Sequence, residues 1–295
     1  MIKIVSHSSK PAGDIVALVT LCRLLNAAGH TCALYAPDRW HLDKCPSETL
    51  DNFRPDKGDT IVANGFPLTS ASELYSLPQL LEKNRGNSWR HFFRKMSLCS
   101  FRRAKPPVDF QLVLTCQERS FCRRRTNLNF YHKIHILNDG GQISREKQPP
   151  AFACPNPVDS LHQSPRKPTR TAGIIGSICR ENRIEDSIKR AFVDGMDKVI
   201  IFGHLADPVY YYRTVRTAME RHPGKVQFSG FVDDKQALYD SISDAYCSPD
   251  NPCSSVRVES SMTGTHFHGG SHAPEAAMDN DQIVALWSKE LGLTK

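Results

Sequence analysis

KVIIFGHLADPVYYYRTVRTAMERHPGKVQFSGFVDDKQALYDSISDAYCSP, Lys198 to Pro249, decides the fold. The run Val199 to Phe202 is apolar throughout and stops at Gly203, as expected of a strand buried on both faces. A helix is expected next, with Val209, Tyr212, Val215 and Met219 on its apolar side. Lys225 to Phe228 reads as a second strand closing at Gly230, Leu238 and Ile242 mark a short amphipathic helix, and Ala245 to Cys247 reads as a third strand. Strand, helix, strand, helix, strand implies a parallel sheet with right-handed crossovers. Ligands of such sheets bind at the carboxyl ends of the strands, which here means Gly203, Gly230 and the loop from Ser248 to Ser255.

Outward from that stretch the same grammar recurs. Ile2 to Ser6 reads as a strand, and Ser8 to Asp14 as a loop in which Gly13 lets the backbone approach a ligand at a helix N-terminus. A helix follows over Ile15 to Ala28, Gly29 caps it, and Thr31 to Tyr35 is the next strand. Asp59 to Gly65, Phe110 to Thr115 and Lys133 to Leu137 continue the series, and Thr171 to Ile175 opens a second one that ends at Gly176. Between them lies a basic, proline-rich stretch, Gln148 to Arg170, which reads as a linker. The expected division is a domain over 1–150, a linker over 151–170 and a second domain over 171–295; 295 residues at 40 % hydrophobic content suffice for two cores.

Several of these elements, taken in order, resemble the C-terminal half of GT-B glycosyltransferases, in particular the large retaining group that uses nucleotide sugars. The match runs through Val226-Gln227-Phe228-Ser229-Gly230-Phe231-Val232, Ser243-Asp244-Ala245, Ser248-Pro249 and Glu259 to Thr265. Pro155-Asn156-Pro157-Val158-Asp159 resembles the segment before the family's second domain, and Gly29-His30 the turn into the second strand of its first. The resemblance implies an α/β chain of two Rossmann-like domains with a cleft between them, compact and with a truncated tail after Leu293. It departs at one place: eight residues before Glu259, where the family has a glutamate, stands Asn251.

The resemblance also implies site residues. A leaving diphosphate needs positive charge where its own negative charge grows. The slots of the family's arginine and lysine are taken here by Ser177 and a position near Asn182, so Arg180 and Arg183, beside them, are the expected diphosphate clamp. Glu259 is expected to hold ribose hydroxyls and to be dispensable for folding; a capping glutamate at a helix start would look the same. Gly176, Ser254 and Ser255 would face phosphate or sugar, Gly230, Phe231 and Val232 would line the base pocket, and Asn251 could bond a sugar hydroxyl. No catalytic base is evident, His7 being only a candidate for the cleft. The donor substrate is a nucleotide sugar, and no cofactor is expected.

Between Lys83 and Arg125 stand twelve basic residues against two acidic ones, a local excess larger than the +7 of the whole chain. Such a block is a footprint for a polyanion. Trp89, Phe92, Phe93 and Met96 recur at helical spacing with Arg90, Arg94 and Lys95 between them, and Arg102, Arg103, Arg123, Arg124 and Arg125 extend the charge. The pattern fits a helix on anionic lipid, a packed helix facing nucleic acid, or a core helix with a solvated face. The acceptor is accordingly a lipid-linked or saccharide acceptor at an anionic surface, or a hydroxylated base of phage-type DNA. The chain could also be a non-catalytic nucleic-acid binder on a degenerate scaffold, a reading motivated by Asn251.

No run approaches the ~18 apolar residues of a membrane span. The ten cysteines form no C-x-x-C pair and read as reduced thiols of a cytoplasmic protein, peripheral on the membrane if lipid is the acceptor. His266, His268 and His272 lie close together without an evident fourth ligand, and a polar loop, not a metal site, is the expectation.

Overall fold

The computed structural model describes residues 1–6, 13–37, 44–64, 110–116, 131–136, 149–163, 168–248, 254–269 and 278–293. His7, Asn251, His272 and all of the expected polyanion surface (Trp89, Arg90, Phe93, Arg94, Lys95, Arg102, Arg103, Arg123, Arg124 and Arg125) lie outside these. The chain forms two compact units: Met1–Ser9, Ala17–Asn156 and Met278–Lys295, and Lys10–Val16 with Pro157–Ala277.

The first unit carries a seven-stranded sheet, all of whose described pairings are parallel, in the order β3-β2-β1-β4-β5-β6-β7. The strands are β1 Ile2–Ser6, β2 Cys32–Ala36, β3 Ser47–Thr49, β4 Thr60–Asn64, β5 Gln111–Cys116, β6 Lys133–Ile136 and β7 Ala151–Ala153. Helix α1, Gly13–Ala27, buries Leu18, Leu21, Cys22 and Leu25 and ends at Gly29, whose φ of 88° is the left-handed cap expected there. Two expectations are corrected. Ala151–Ala153 is not linker but the edge strand β7: it pairs with β6, and Pro150, just before it, needs no amide to donate while its carbonyl accepts from Ile134 N. The C-terminal residues from Met278 on belong to the first unit, not the second.

Their helix, named α6 below (Asn280–Leu291), buries Ile283, Trp287 and Leu291. Trp287 packs on His135 at 4.6 Å and Phe152 at 5.1 Å between ring centroids, and Lys133 pairs with Glu290. His135 belongs to a polar row that runs in register across the sheet, Ser6, Asn64, Thr115, His135. Its Nδ1 meets Thr115 Oγ1 at 2.8 Å and its Nε2 meets the Cys154 carbonyl at 2.8 Å, so the neutral ring donates from Nε2 and accepts at Nδ1. Burial depresses its pKa to about 4. The unfolded chain takes up this proton near pH 6.5 and the folded one does not, so stability present above that pH is lost as pH falls from there toward 4. The stability lost between pH 7 and pH 5 should be about 2 kcal/mol greater in the wild type than in His135→Asn, measured by urea unfolding at both pH values.

The second unit holds a five-stranded sheet of parallel pairings in the order β10-β9-β8-β11-β12. Its strands are β8 Thr171–Ile175, β9 Lys198–Phe202, β10 Val226–Gly230, β11 Asp244–Tyr246 and β12 His266–His268. On one face lie α2 (Ile184–Val193) and α3 (208–221), which enclose Ile184, Ile188, Ile201 and Tyr246. On the other lie α4 (Lys235–Asp240) and α5 (Ser254–Thr263), with Leu238, Tyr239, Ile242 and Val256.

Helix α3 departs from the expected face. Val209 and Tyr212 are exposed, whereas Tyr210 and Val215 are buried. Its middle, Tyr211–Arg216, is a π-helix, and a five-residue repeat puts Tyr210 and Val215 on one side where a 3.6-residue repeat cannot. The segment expected to be a polar loop is partly strand: β12 pairs with β11, and His268 hydrogen-bonds Asp244 at 2.8 Å and stacks on Tyr246 at 4.3 Å. Among the described residues no helix is long and apolar enough to cross a membrane.

Candidate functional site

In the order β10-β9-β8-β11-β12 the chain direction of construction reverses between β8 and β11, and the crevice outside the carboxyl ends of these two strands is where open α/β sheets take ligands. The loop after β8, Gly176 to Arg183, flanks it on one side. Ser248 and the N-terminus of α5 flank it on the other.

The first wall is built from backbone. Gly176 and Gly203 both have φ of 153°, a region that side chains disfavour. Their chains pass so close that a Cβ on Gly203 would stand 1.8 Å from the Gly176 carbonyl oxygen. Gly176 N donates to Phe202 O at 3.0 Å and Gly203 N to Gly230 O at 2.9 Å, so the ends of β8, β9 and β10 are tied at these glycines. Beyond the crossing the chains pair again, at Ile178 and Leu205, with Ile178 N donating to His204 O at 2.9 Å. Asn182 Nδ2 donates to the Ser177 carbonyl at 2.7 Å, and Ser177 Oγ lies 3.1 Å from His204 Nδ1.

Two expected clamp residues sit on this wall in different circumstances. Arg180 starts a 3₁₀ turn, Arg180–Asn182, is exposed, and makes no ion pair with a described residue. Arg183 is the N-cap of α2 in a left-handed conformation, φ 42° and ψ 52°, and its guanidinium is held by Asp186 at 2.6 Å. That conformation in a non-glycine residue costs of order 1–3 kcal/mol, and the residues around it hold it: Tyr210 accepts from Ile184 N at 2.8 Å and donates to Glu185.

At the end of β10 the register shifts between Phe228 and Gly230, and Gly230 turns the chain with φ of 76°. Phe231 stays 37 % exposed, a large aromatic surface beside the strand end, while Val232 packs on the Leu238 cluster. On the opposite wall Ser254 begins α5 and Ser255 is half-buried in its first turn. Gly13 begins α1, exposed and with open space where a Cβ would stand.

Glu259, in the second turn of α5, is only 3 % exposed. Its Oε1 accepts from Lys235 Nζ at 2.5 Å and its Oε2 from Tyr239 OH at 2.9 Å; Asp159 approaches the same ammonium at 3.7 Å. The expectation that Glu259 is dispensable for folding is therefore corrected: it neutralises a lysine half-withdrawn from water and satisfies a buried tyrosine. Lys235, Tyr239 and His204 were not singled out from the sequence. His204 carried a readable signal, being a titratable side chain directly after a strand-terminal glycine. The other two, 24 and 20 residues from Glu259, carried none.

No family model matches this sequence, and no curated protein matches it. Solved structures match at the level of the backbone. HepE of Anabaena, in complex with UDP and glucose, superposes with a TM-score of 0.60 at 13 % identity, over 99 % of this chain and 89 % of that one. An α-glucosyltransferase in complex with UDP and a 13-mer DNA gives 0.57 at 10 % identity, over 99 % and 90 %. WaaG, a glycosyltransferase involved in lipopolysaccharide biosynthesis, gives 0.50 at 9 % identity, over 99 % and 90 %. Likenesses at such identities establish architecture, and together with the two parallel sheets they show that the chain has the GT-B fold.

Proposed function

We propose that the protein is a nucleotide-sugar-dependent glycosyltransferase, transferring its sugar with retention. The observation that carries this is the crevice of the second unit. The tied glycine ends of β8, β9 and β10, the exposed Arg180 and the exposed ring of Phe231 meet at the strand ends beside a loop leading into α5. A nucleotide sugar needs a surface for its base, amides and cations for its diphosphate, and groups for its ribose. In this reading Phe231 and Val232 with Gly230 receive the base, while Gly13, Gly176, Ser254 and Ser255 face phosphate or sugar. Asn251 bonds a sugar hydroxyl, and Glu259 offers the ribose the lone pairs that Lys235 and Tyr239 leave. Arg180 and Arg183 stabilise the departing diphosphate.

The acceptor reached through the basic segment 83–125 is, in the first reading, lipid-linked or saccharide at an anionic membrane surface, with the enzyme peripheral on it. WaaG, of lipopolysaccharide biosynthesis, supports that reading. The second reading, a nucleic-acid acceptor, is favoured by the DNA-bound α-glucosyltransferase, which fits this chain over 99 % of its length.

The test is slow release of nucleoside diphosphate from a panel of nucleotide sugars without acceptor. A binding donor should also raise the melting temperature, since it stabilises only the folded state. Neither hydrolysis nor a shift with any donor would leave the non-catalytic reading standing. Arg180→Ala should lower turnover more than donor affinity, because charge at that position matters most as the diphosphate leaves; an effect on KM alone would mean uniform binding. Binding to anionic liposomes at low salt, lost on replacing Trp89 and Phe93 by serine in a folded protein, selects the membrane reading. Retardation of duplex DNA without liposome binding selects the other.

A further inference from the structure

We propose that Lys235 is a positioning residue for the ribose: its ammonium holds the Glu259 carboxylate in the orientation that receives a vicinal diol, and so makes the site select ribonucleotides. This deepens the reading of the crevice as a nucleotide-sugar site and rests on it. The two residues belong to different helices that start at the same edge of the sheet. Lys235 opens α4, directly after the turn that follows Gly230 at the end of β10. Glu259 lies in the second turn of α5, which follows the loop after β11. The ammonium therefore joins the strand end proposed for the base to the carboxylate proposed for the ribose, by a contact of 2.5 Å.

The chemistry of that pair determines what Glu259 can offer. A carboxylate has about four lone-pair sites, two on each oxygen. Lys235 Nζ donates to Oε1 and Tyr239 OH donates to Oε2 at 2.9 Å, so each oxygen is held by one donor and the plane of the group is fixed from both ends. One site per oxygen is left, side by side, as two neighbouring hydroxyls require; a sugar without those hydroxyls leaves the sites unused. With Tyr239 alone the group could swing about a single bond. The ammonium is itself fixed, since Asp159 stands 3.7 Å away and Asp234 caps the first turn of α4 by accepting from Ala237 N at 3.0 Å. It also supplies the positive charge against which a carboxylate only 3 % exposed can stay withdrawn from water.

The experiment measures dissociation constants of UDP, GDP and ADP and of their 2′,3′-dideoxy counterparts by ligand-observed NMR. It uses the whole chain, well below the melting temperature of each variant. The wild type should bind the ribonucleotide roughly tenfold more tightly than its dideoxy form, as for hydrogen bonds to a charged group. Lys235→Met should bring that ratio to about twofold or less, through weaker binding of the ribonucleotide alone. Lys235→Arg, which keeps a cation and N–H donors, should recover part of the ratio. Lys235→Gln keeps a donor without the charge and should fall between; it decides the matter if Lys235→Met does not fold. A role confined to the fold would weaken both ligands together and leave the ratio as it was. An unchanged ratio in the folded uncharged variant, or equal losses for both ligands, therefore overturns the assignment while the donor site survives. A wild type that binds ribo and dideoxy forms equally removes Glu259 from the ribose, and this assignment with it, but leaves the nucleotide site. One that binds no nucleoside diphosphate brings down the glycosyltransferase reading itself.

Discussion

Gly203→Ala should destabilise the second unit more than any other single methyl added at the crevice. Two effects combine. The backbone at φ 153° is in a region that costs an alanine of order 1–3 kcal/mol, and the new methyl would stand 1.8 Å from the Gly176 carbonyl oxygen. That oxygen is main chain, tied through its strand to β9, so one strand end must move. Overpacking of this kind adds about 1–3 kcal/mol, giving a total of roughly 4 kcal/mol. Two neighbours serve as controls. Gly176→Ala shares the same φ, but its methyl would meet only Asn182 Nδ2 at 3.4 Å. Gly230→Ala has φ of 76° and open space. The urea midpoint should fall most for Gly203→Ala, and a Gly230→Ala protein less stable than Gly203→Ala would refute the close approach of the two chains.

Those glycines were legible in the sequence for the reason that makes them hard to replace: each ends a segment that reads as a strand, and chains that turn or touch at strand ends need a residue without Cβ. The central strands were legible too. KVIIF, TAGII and IKIVS are largely covered on both faces, so they read as mostly apolar runs; Lys3, the polar interruption in IKIVS, is buried in an ion pair with Asp59. Of the outer strands, SET, AFA and HFH went unread, because three residues on a sheet edge carry too little pattern to separate them from loop. In AFA the preceding prolines argued for a linker, although proline is acceptable where a strand begins at an edge. The helix that buries Ile283, Trp287 and Leu291 was not read from the sequence, which placed the whole C-terminal stretch in the second domain; the contacts of Trp287 with His135 and Phe152 assign it to the first sheet.

The site was legible as a set of strand ends and only partly as side chains. Arg180 and Arg183 look equivalent in the sequence. Whether a guanidinium faces solvent or an aspartate three residues on depends on the left-handed turn at Arg183, which no propensity anticipates in an arginine. Tyr210 is similar: a helical repeat leaves it off the apolar face, and the π segment puts it there, with its hydroxyl on the first amide of α2.

Glu259→Ala is expected to lower stability by about 3 kcal/mol, the low end of the cost of removing one partner from a buried ion pair. Lys235 keeps contact with water and with Asp159 at 3.7 Å, which limits its share of the loss; Tyr239, buried, also reaches the Val256 carbonyl at 3.5 Å, a longer bond than the one of 2.9 Å that it gives to Glu259 Oε2. Glu259→Gln keeps an acceptor for that hydroxyl and forfeits only the charge on Lys235, so its loss should be smaller. In a double-mutant cycle with Lys235→Met the two residues should couple by more than 1 kcal/mol, well above the median for exposed pairs. Donor binding separates this structural role from the one proposed for ribose. At a temperature where all variants remain folded, Glu259→Gln should bind nucleotide sugar more weakly than the wild type, because an amide is a poorer acceptor than a carboxylate for paired hydroxyls. A Glu259→Ala protein as stable as the wild type would contradict the buried pair itself, and unchanged donor affinity in Glu259→Gln would confine Glu259 to holding α4 against α5.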